Sequence, residues 1–204
     1  MAESHLDQFQ DPMSGQKIGT NDQISSPVRL PLHDRTVKCV LTRARKYMGT
    51  AMLDGGDDFG PPQVVRYTAG QQVEEHHDSY DEPPWTEDDA QGTFNPIANF
   101  LVTLQDNCTG GETYFPFIGP KAPEHSAEDV QEMGPNTGTT LDPTFTEHQG
   151  GGLAFRPVKG DALFLVNLHP DGAKDERTVH TSLPVREGVK IDMNLWPRRL
   201  YQQE

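Results

Sequence analysis

A mainly β chain, folded as a double-stranded β-helix or jelly roll with one or more supporting helices, is the class this sequence predicts. Three observations predict it. Short β-branched and aromatic segments recur along the chain, and Gly or Pro bounds nearly all of them. One amphipathic helical stretch precedes them. The 204 residues include 19 Gly and 17 Pro with only 33% hydrophobic residues, so the strands must be short and the loops long.

Residues 1–25 are polar and lack apolar periodicity, which reads as an N-terminal arm outside one domain spanning 26–204. The helix is predicted over Asp34–Gly49: Asp34 suits the N-cap, Val37, Val40, Leu41, Ala44 and Met48 fall at helical spacing, and Gly49 suits the stop. The stretch LDGGDDFGPP reads as turns. Strands follow at Gln63–Tyr67, Gln72–Asp78, Ile97–Gln105, Glu112–Phe115, Leu153–Pro157, Ala162–Asn167, Val179–Val185 and Lys190–Trp196. Residues 116–151, rich in Pro, Gly, Thr and acidic side chains, form a long loop without a period, which reads either as a disordered segment or as a functional lid. Many short strands after one helix are the order of a cupin-like jelly roll.

Charge and composition narrow the function. A net charge of −14 repels polyanions, so neither nucleic acid nor an anionic membrane is an expected partner. No apolar run approaches the roughly 20 residues of a membrane span, and MAESHLDQFQDPMSG lacks the apolar core of a signal peptide. The expectation is a cytoplasmic protein, with Cys39 and Cys108 as free thiols and the Asn107-Cys108-Thr109 sequon unused.

The residues that carry chemistry are His76 and Asp78, two apart on a predicted strand and so on one face of it, with His180 opening a later strand. Two imidazoles and a carboxylate on one face of Fe(II) make a facial triad, with positions left for a co-substrate and O2. Alone, a His-x-Asp beside Glu74 and Glu75 reads as a solvated acidic strand more readily than as a metal site. His77 points to the opposite face of a regular strand, and His125, His148 and His169 stand in loop-like sequence. Glu87-Asp88-Asp89 lacks the spacing of a calcium loop, and the glycines at 150–152 suit a turn rather than a phosphate cradle.

Further motifs give the pair company. Arg66-Tyr67, Gly70-Gln71 and His76-His77-Asp78 are followed by Gly110-Gly111-Glu112-Thr113-Tyr114-Phe115-Pro116, by Lys159 to Leu163, and by Asn167 to Gly172. The chain closes with His180, Pro184-Val185, Gly188, Lys190 and Trp196. This order, over roughly Val28 to Arg198, resembles the prolyl-4-hydroxylase-like branch of the Fe(II)/2-oxoglutarate dioxygenases. The resemblance implies Fe(II) held by His76, Asp78 and His180. It also implies 2-oxoglutarate and O2 as co-substrates, with ascorbate as a reductant. Lys190 would pair with the far carboxylate of 2-oxoglutarate, and Tyr67 and Thr113 would hydrogen-bond it. Decarboxylation to succinate would be coupled to oxidation of a C–H bond, and Asp78 favours hydroxylation over halogenation.

The chain departs from the family where peptide is held. Val73 replaces a Tyr, Asn95-Pro96 stands where an Arg is usual, and Thr103 replaces a second Tyr. The expectation drawn is a small-molecule substrate, in a pocket shaped by Val73, Asn95 and the long loop with Trp196 beneath it. The alternatives are a peptidyl or protein prolyl hydroxylase and a non-catalytic metal-binding jelly-roll module. A shortened N-terminal helical layer is compatible with a second subunit covering the sheet, as a homo-oligomer.

Overall fold

Alternation along the longest strands sets the architecture. In β12 (Val185–Leu195), Lys190, Asp192 and Asn194 line an interior cavity, while Met193 and Leu195 leave the other face. Its neighbours β3 (Gln63–Thr68) and β6 (Ala98–Gly110) repeat the pattern: Val65, Tyr67, Asn99 and Leu101 turn to the cavity, and Val64, Ala98 and Phe100 turn away. The apolar face packs with Ala44 and Met48 of α1 (Arg35–Met48). Asp34 caps that helix, accepting from the backbone N–H groups of Thr36 and Val37 at 2.7 and 3.1 Å, and Gly49 ends it at φ 55°. The computed structural model describes residues 27–52, 57–81, 93–119, 144–148 and 151–201. The arm over 1–25, the acidic run at 87–89, His125 and most of the expected lid lie outside the described residues.

Two five-stranded antiparallel sheets face each other across the cavity. The larger runs β1 (Val28–Arg29), β3, β12, β6 and β10 (Ala162–Val166). The smaller runs β4 (Val73–His76), β11 (His180–Ser182), β7 (Thr113–Phe115), β9 (Leu153–Phe155) and β8 (Phe145–Glu147). This is the expected jelly roll, with the helix on the outer face of the larger sheet. A third sheet, β2 (Asp57–Phe59), β13 (Pro197–Tyr201) and β5 (Thr93–Pro96), was not predicted. Its pairing depends on contacts distant in sequence. Arg198 donates to Asp58 at 2.6 and 3.1 Å and Arg199 to Asp57 at 3.2 Å, so two aspartates in a turn-like stretch become strand residues. No described helix is long and apolar enough to cross a membrane.

Several boundaries differ from expectation. β12 begins at Val185 rather than Lys190, and β6 runs on to Gly110 to pair with it. Within the stretch expected to be loop, Phe145–Glu147 forms β8, with the Phe145 ring 5.2 Å from that of Phe155. β4 ends at His76, so Asp78 lies beyond the strand rather than on its face.

Gly188 shows how the long pairing is reached. It sits opposite Cys108 with φ 82°, and a Cβ there would run into the backbone oxygen of Asn107. Gly188→Ala should therefore lower the stability by about 2 kcal/mol or more, combining left-handed strain with a displaced ladder. Urea unfolding reads this as a lower midpoint, and equal midpoints would show that the ladder moves aside freely.

Candidate active site

His76 and His180 are direct partners across β4 and β11, so both side chains leave the same face of the smaller sheet. Their ring centroids lie 4.4 Å apart, and Phe115 stacks on His180 at 5.7 Å. Each Nδ1 faces a carbonyl, Glu74 O at 2.8 Å for His76 and Thr178 O at 2.9 Å for His180. A carbonyl only accepts, so each Nδ1 carries the proton and each Nε2 presents a lone pair. Burial first, and then the neighbouring His76, push the His180 imidazolium down to about 4, so this ring is neutral at ordinary pH.

Asp78 completes the group. Its Oδ1 lies 3.7 Å from His76 Nε2 and its Oδ2 3.8 Å from His180 Nε2, too far for hydrogen bonds and near enough for one ion to bridge. One ligand atom from each of the three residues lies within 4.8 Å of the others. Asn99 on β6 donates its amide to Asp78 Oδ2 at 2.5 Å, which turns the carboxylate inward although no strand directs it. Two oriented imidazoles and a hydrogen-bonded carboxylate fit a divalent transition metal, with the backbone carbonyls and Asn99 as the supporting shell.

Across the cavity, Lys190 and Asp192 are among the driest charged residues, each 1% exposed as a whole residue. Lys190 Nζ donates to Gly111 O at 2.7 Å and Ser182 Oγ at 3.1 Å, and pairs with Asp192 Oδ2 at 2.9 Å. It also lies 5.0 Å over the Tyr67 ring. Gly111 has to lack a side chain, because at φ 75° a Cβ would press on Val185 and the Lys190 stem at 3.0 and 3.1 Å. Burial, and after it Asp192 and Asp78, push the Tyr67 phenol far up, so it stays a hydroxyl donor.

The structure brings His76, Asp78, His180, Tyr67, Thr113, Lys190, Val73 and Trp196 around this one cavity. It does not bring Asn95 there. The Asn95 amide accepts from Tyr80 N at 2.9 Å and donates to Tyr80 O at 3.0 Å, clamping the segment just past Asp78. His77 turns away and lies 3.4 Å from Glu176. His148 and His169 are exposed, and His148 rests against Tyr114. Gly151 and Gly152 form a turn closed on His148, and Cys39 and Cys108 are free thiols. The residues missed from sequence are Asn99, Ser182 and Asp192. A charge two places beyond Lys190 on the same strand was the available signal for Asp192, since period two puts both on one face.

No protein-family model matches the chain. Its sequence is 33% identical over 149 residues to "Probable prolyl 4-hydroxylase 9" of Arabidopsis thaliana, covering 73% of this chain and 43% of that protein. It is 30% identical over 143 residues to "Prolyl 4-hydroxylase 2" of the same plant, covering 70% and 42% respectively. The chain thus spans less than half the length of these curated relatives. Among solved structures, the viral collagen prolyl hydroxylase of Paramecium Bursaria Chlorella virus-1, in its 2-oxoglutarate complex, shares the fold. The TM-score is 0.58 at 23% identity, over 85% of this chain and 78% of that one.

Proposed function

We propose that this chain, which belongs to the prolyl-4-hydroxylase-like family of Fe(II)/2-oxoglutarate dioxygenases, is an oxygenase of that type whose substrate is a peptidyl proline. The observation that carries it is the pairing of one metal-ready face, His76, Asp78 and His180, with one buried cation, Lys190, in a single cavity. Fe(II), when bound, would couple decarboxylation of 2-oxoglutarate by O2 to oxidation of a substrate C–H bond. The chain's own residues bind and orient. His76, Asp78 and His180 hold the metal, and Lys190 receives the far carboxylate of the co-substrate. Thr113 and the Tyr67 phenol donate to that same carboxylate, while Val65 and Leu101 keep the cavity wall apolar.

The peptide reading is better supported than the small-molecule one. The curated relatives carry the name prolyl 4-hydroxylase, and two of the departures that favoured a small molecule have tasks inside the fold. Asn95 clamps Tyr80, and Thr103 is buried as the cross-strand partner of Asp192. Their identities therefore follow from packing and say little about substrate.

The test is to incubate the protein with Fe(II), 2-oxoglutarate and ascorbate and to offer proline-rich peptides beside free proline and unrelated small metabolites. Peptides gaining one oxygen on proline, with matching succinate, are the expected result. Oxidation of a small metabolite with every peptide untouched would overturn the peptide assignment.

A further inference from the structure

The Lys190 ammonium has three N–H donors, and each already has an acceptor within the protein: the Gly111 carbonyl, the Ser182 hydroxyl and the Asp192 carboxylate. An incoming carboxylate finds no vacant donor there. The Lys190 and Asp192 side chains are each 2% exposed, so the pair is neutral as a unit and shielded from water. Asp192 Oδ1 lies in the wall of the cavity without a hydrogen-bond partner among the described residues. Asp192 is acted on by Lys190 on its own strand and by Thr103 from β6, and its charge in turn reaches the Tyr67 phenol on β3 and the Cys108 thiol on β6. Lys190 is the one cation among them.

A second carboxylate in this space would set two negative charges against one ammonium in a dry pocket. Two carboxylates sharing such a site cannot both stay ionised, and one takes a proton. Resting on the reading above that the pocket receives 2-oxoglutarate, we propose that Asp192 is a specificity-determining residue for the co-substrate. The far carboxylate is admitted to Lys190 only with uptake of one proton from solvent, which forms an O–H on Asp192 while Lys190 remains an ammonium. The protonated Asp192 then donates to the ligand instead of repelling it. Burial already pushes this carboxyl up, with Lys190 opposing. A 2-oxo acid with an uncharged far end needs no such proton.

Calorimetric titration of the anaerobic Fe(II)-loaded protein tests this, in buffers of different ionisation enthalpy at mildly alkaline pH. The two ligands are 2-oxoglutarate and 2-oxopentanoate, which shares the keto acid end and chain but lacks the far carboxylate. The expected result is about one more proton taken up with 2-oxoglutarate than with 2-oxopentanoate. The 2-oxoglutarate Kd should rise about tenfold per pH unit once Asp192 is ionised. In Asp192→Asn the proton difference should vanish, and at mildly alkaline pH 2-oxoglutarate should bind about tenfold tighter or more. Equal proton counts for the two ligands in the unmodified protein would overturn the proposal, whatever the variant does. So would unchanged 2-oxoglutarate affinity in a folded variant. If no 2-oxo acid binds to protein that holds Fe(II), the co-substrate reading itself falls and this inference with it.

Discussion

Asp78→Ala is expected to lose metal binding by at least about 100-fold and to lose turnover with it, while keeping the fold. The loss should exceed the 10–100-fold that removal of a supporting residue costs, because a ligand itself is removed. The fold should survive because Asp78 lies beyond β4 and its side chain takes no part in the β4–β11 pairing. One local cost remains. The Asn99 amide, in a residue 1% exposed, loses its acceptor, which is worth about 1–3 kcal/mol. Thermal melting with and without metal separates the two effects. In the unmodified protein, free metal at 100 times its Kd should stabilise by about 2.7 kcal/mol, and in Asp78→Ala that increment should disappear. A variant whose melting still responds fully to metal would place the ion elsewhere. A non-catalytic metal-binding module would show the same increment in the unmodified protein but no binding of any 2-oxo acid.

Lys190→Met should have the largest combined effect. Removing one partner of a buried ion pair leaves the Asp192 carboxyl without its counter-charge, at a cost of about 3–5 kcal/mol, and Ser182 and Gly111 lose their donor as well. Affinity for 2-oxoglutarate should fall about 100-fold or more, since the lost contact is a desolvated charge pair. Lys190→Met combined with Asp192→Ala separates structure from binding. With both charges gone, most of the lost stability should return, and affinity for 2-oxoglutarate should not. Urea unfolding and calorimetric titration measure the two quantities on the same samples. If the single variant were as stable as the unmodified protein and bound 2-oxoglutarate as well, Lys190 would be neither the counter-ion of Asp192 nor the co-substrate cation.

Local pattern along the chain encodes one part of this protein and contacts between distant residues the other. The helix from its Asp34 cap to Gly49 and most strand centres were legible, because periodicity depends on near neighbours. The set His76, Asp78, His180, Tyr67, Thr113 and Lys190 was marked by the family resemblance of its motifs, and the fold brings these residues to one cavity. The tertiary structure alone decided features that join distant residues. Asp57–Phe59 became a strand because arginines some 140 positions later supply its counter-charges. Asp78 turned toward the histidines through Asn99, not through strand alternation. Asn95, expected in the substrate pocket, was claimed by Tyr80. The state of Lys190 was decided in the same way. Spacing marked it as a cation on an inward face beside Asp192 of its own strand, but only the closing of one sheet over the other brought Gly111 and Ser182 to its ammonium. A charge in a dry pocket is governed by every group that reaches it, and those groups come from three separate parts of the chain.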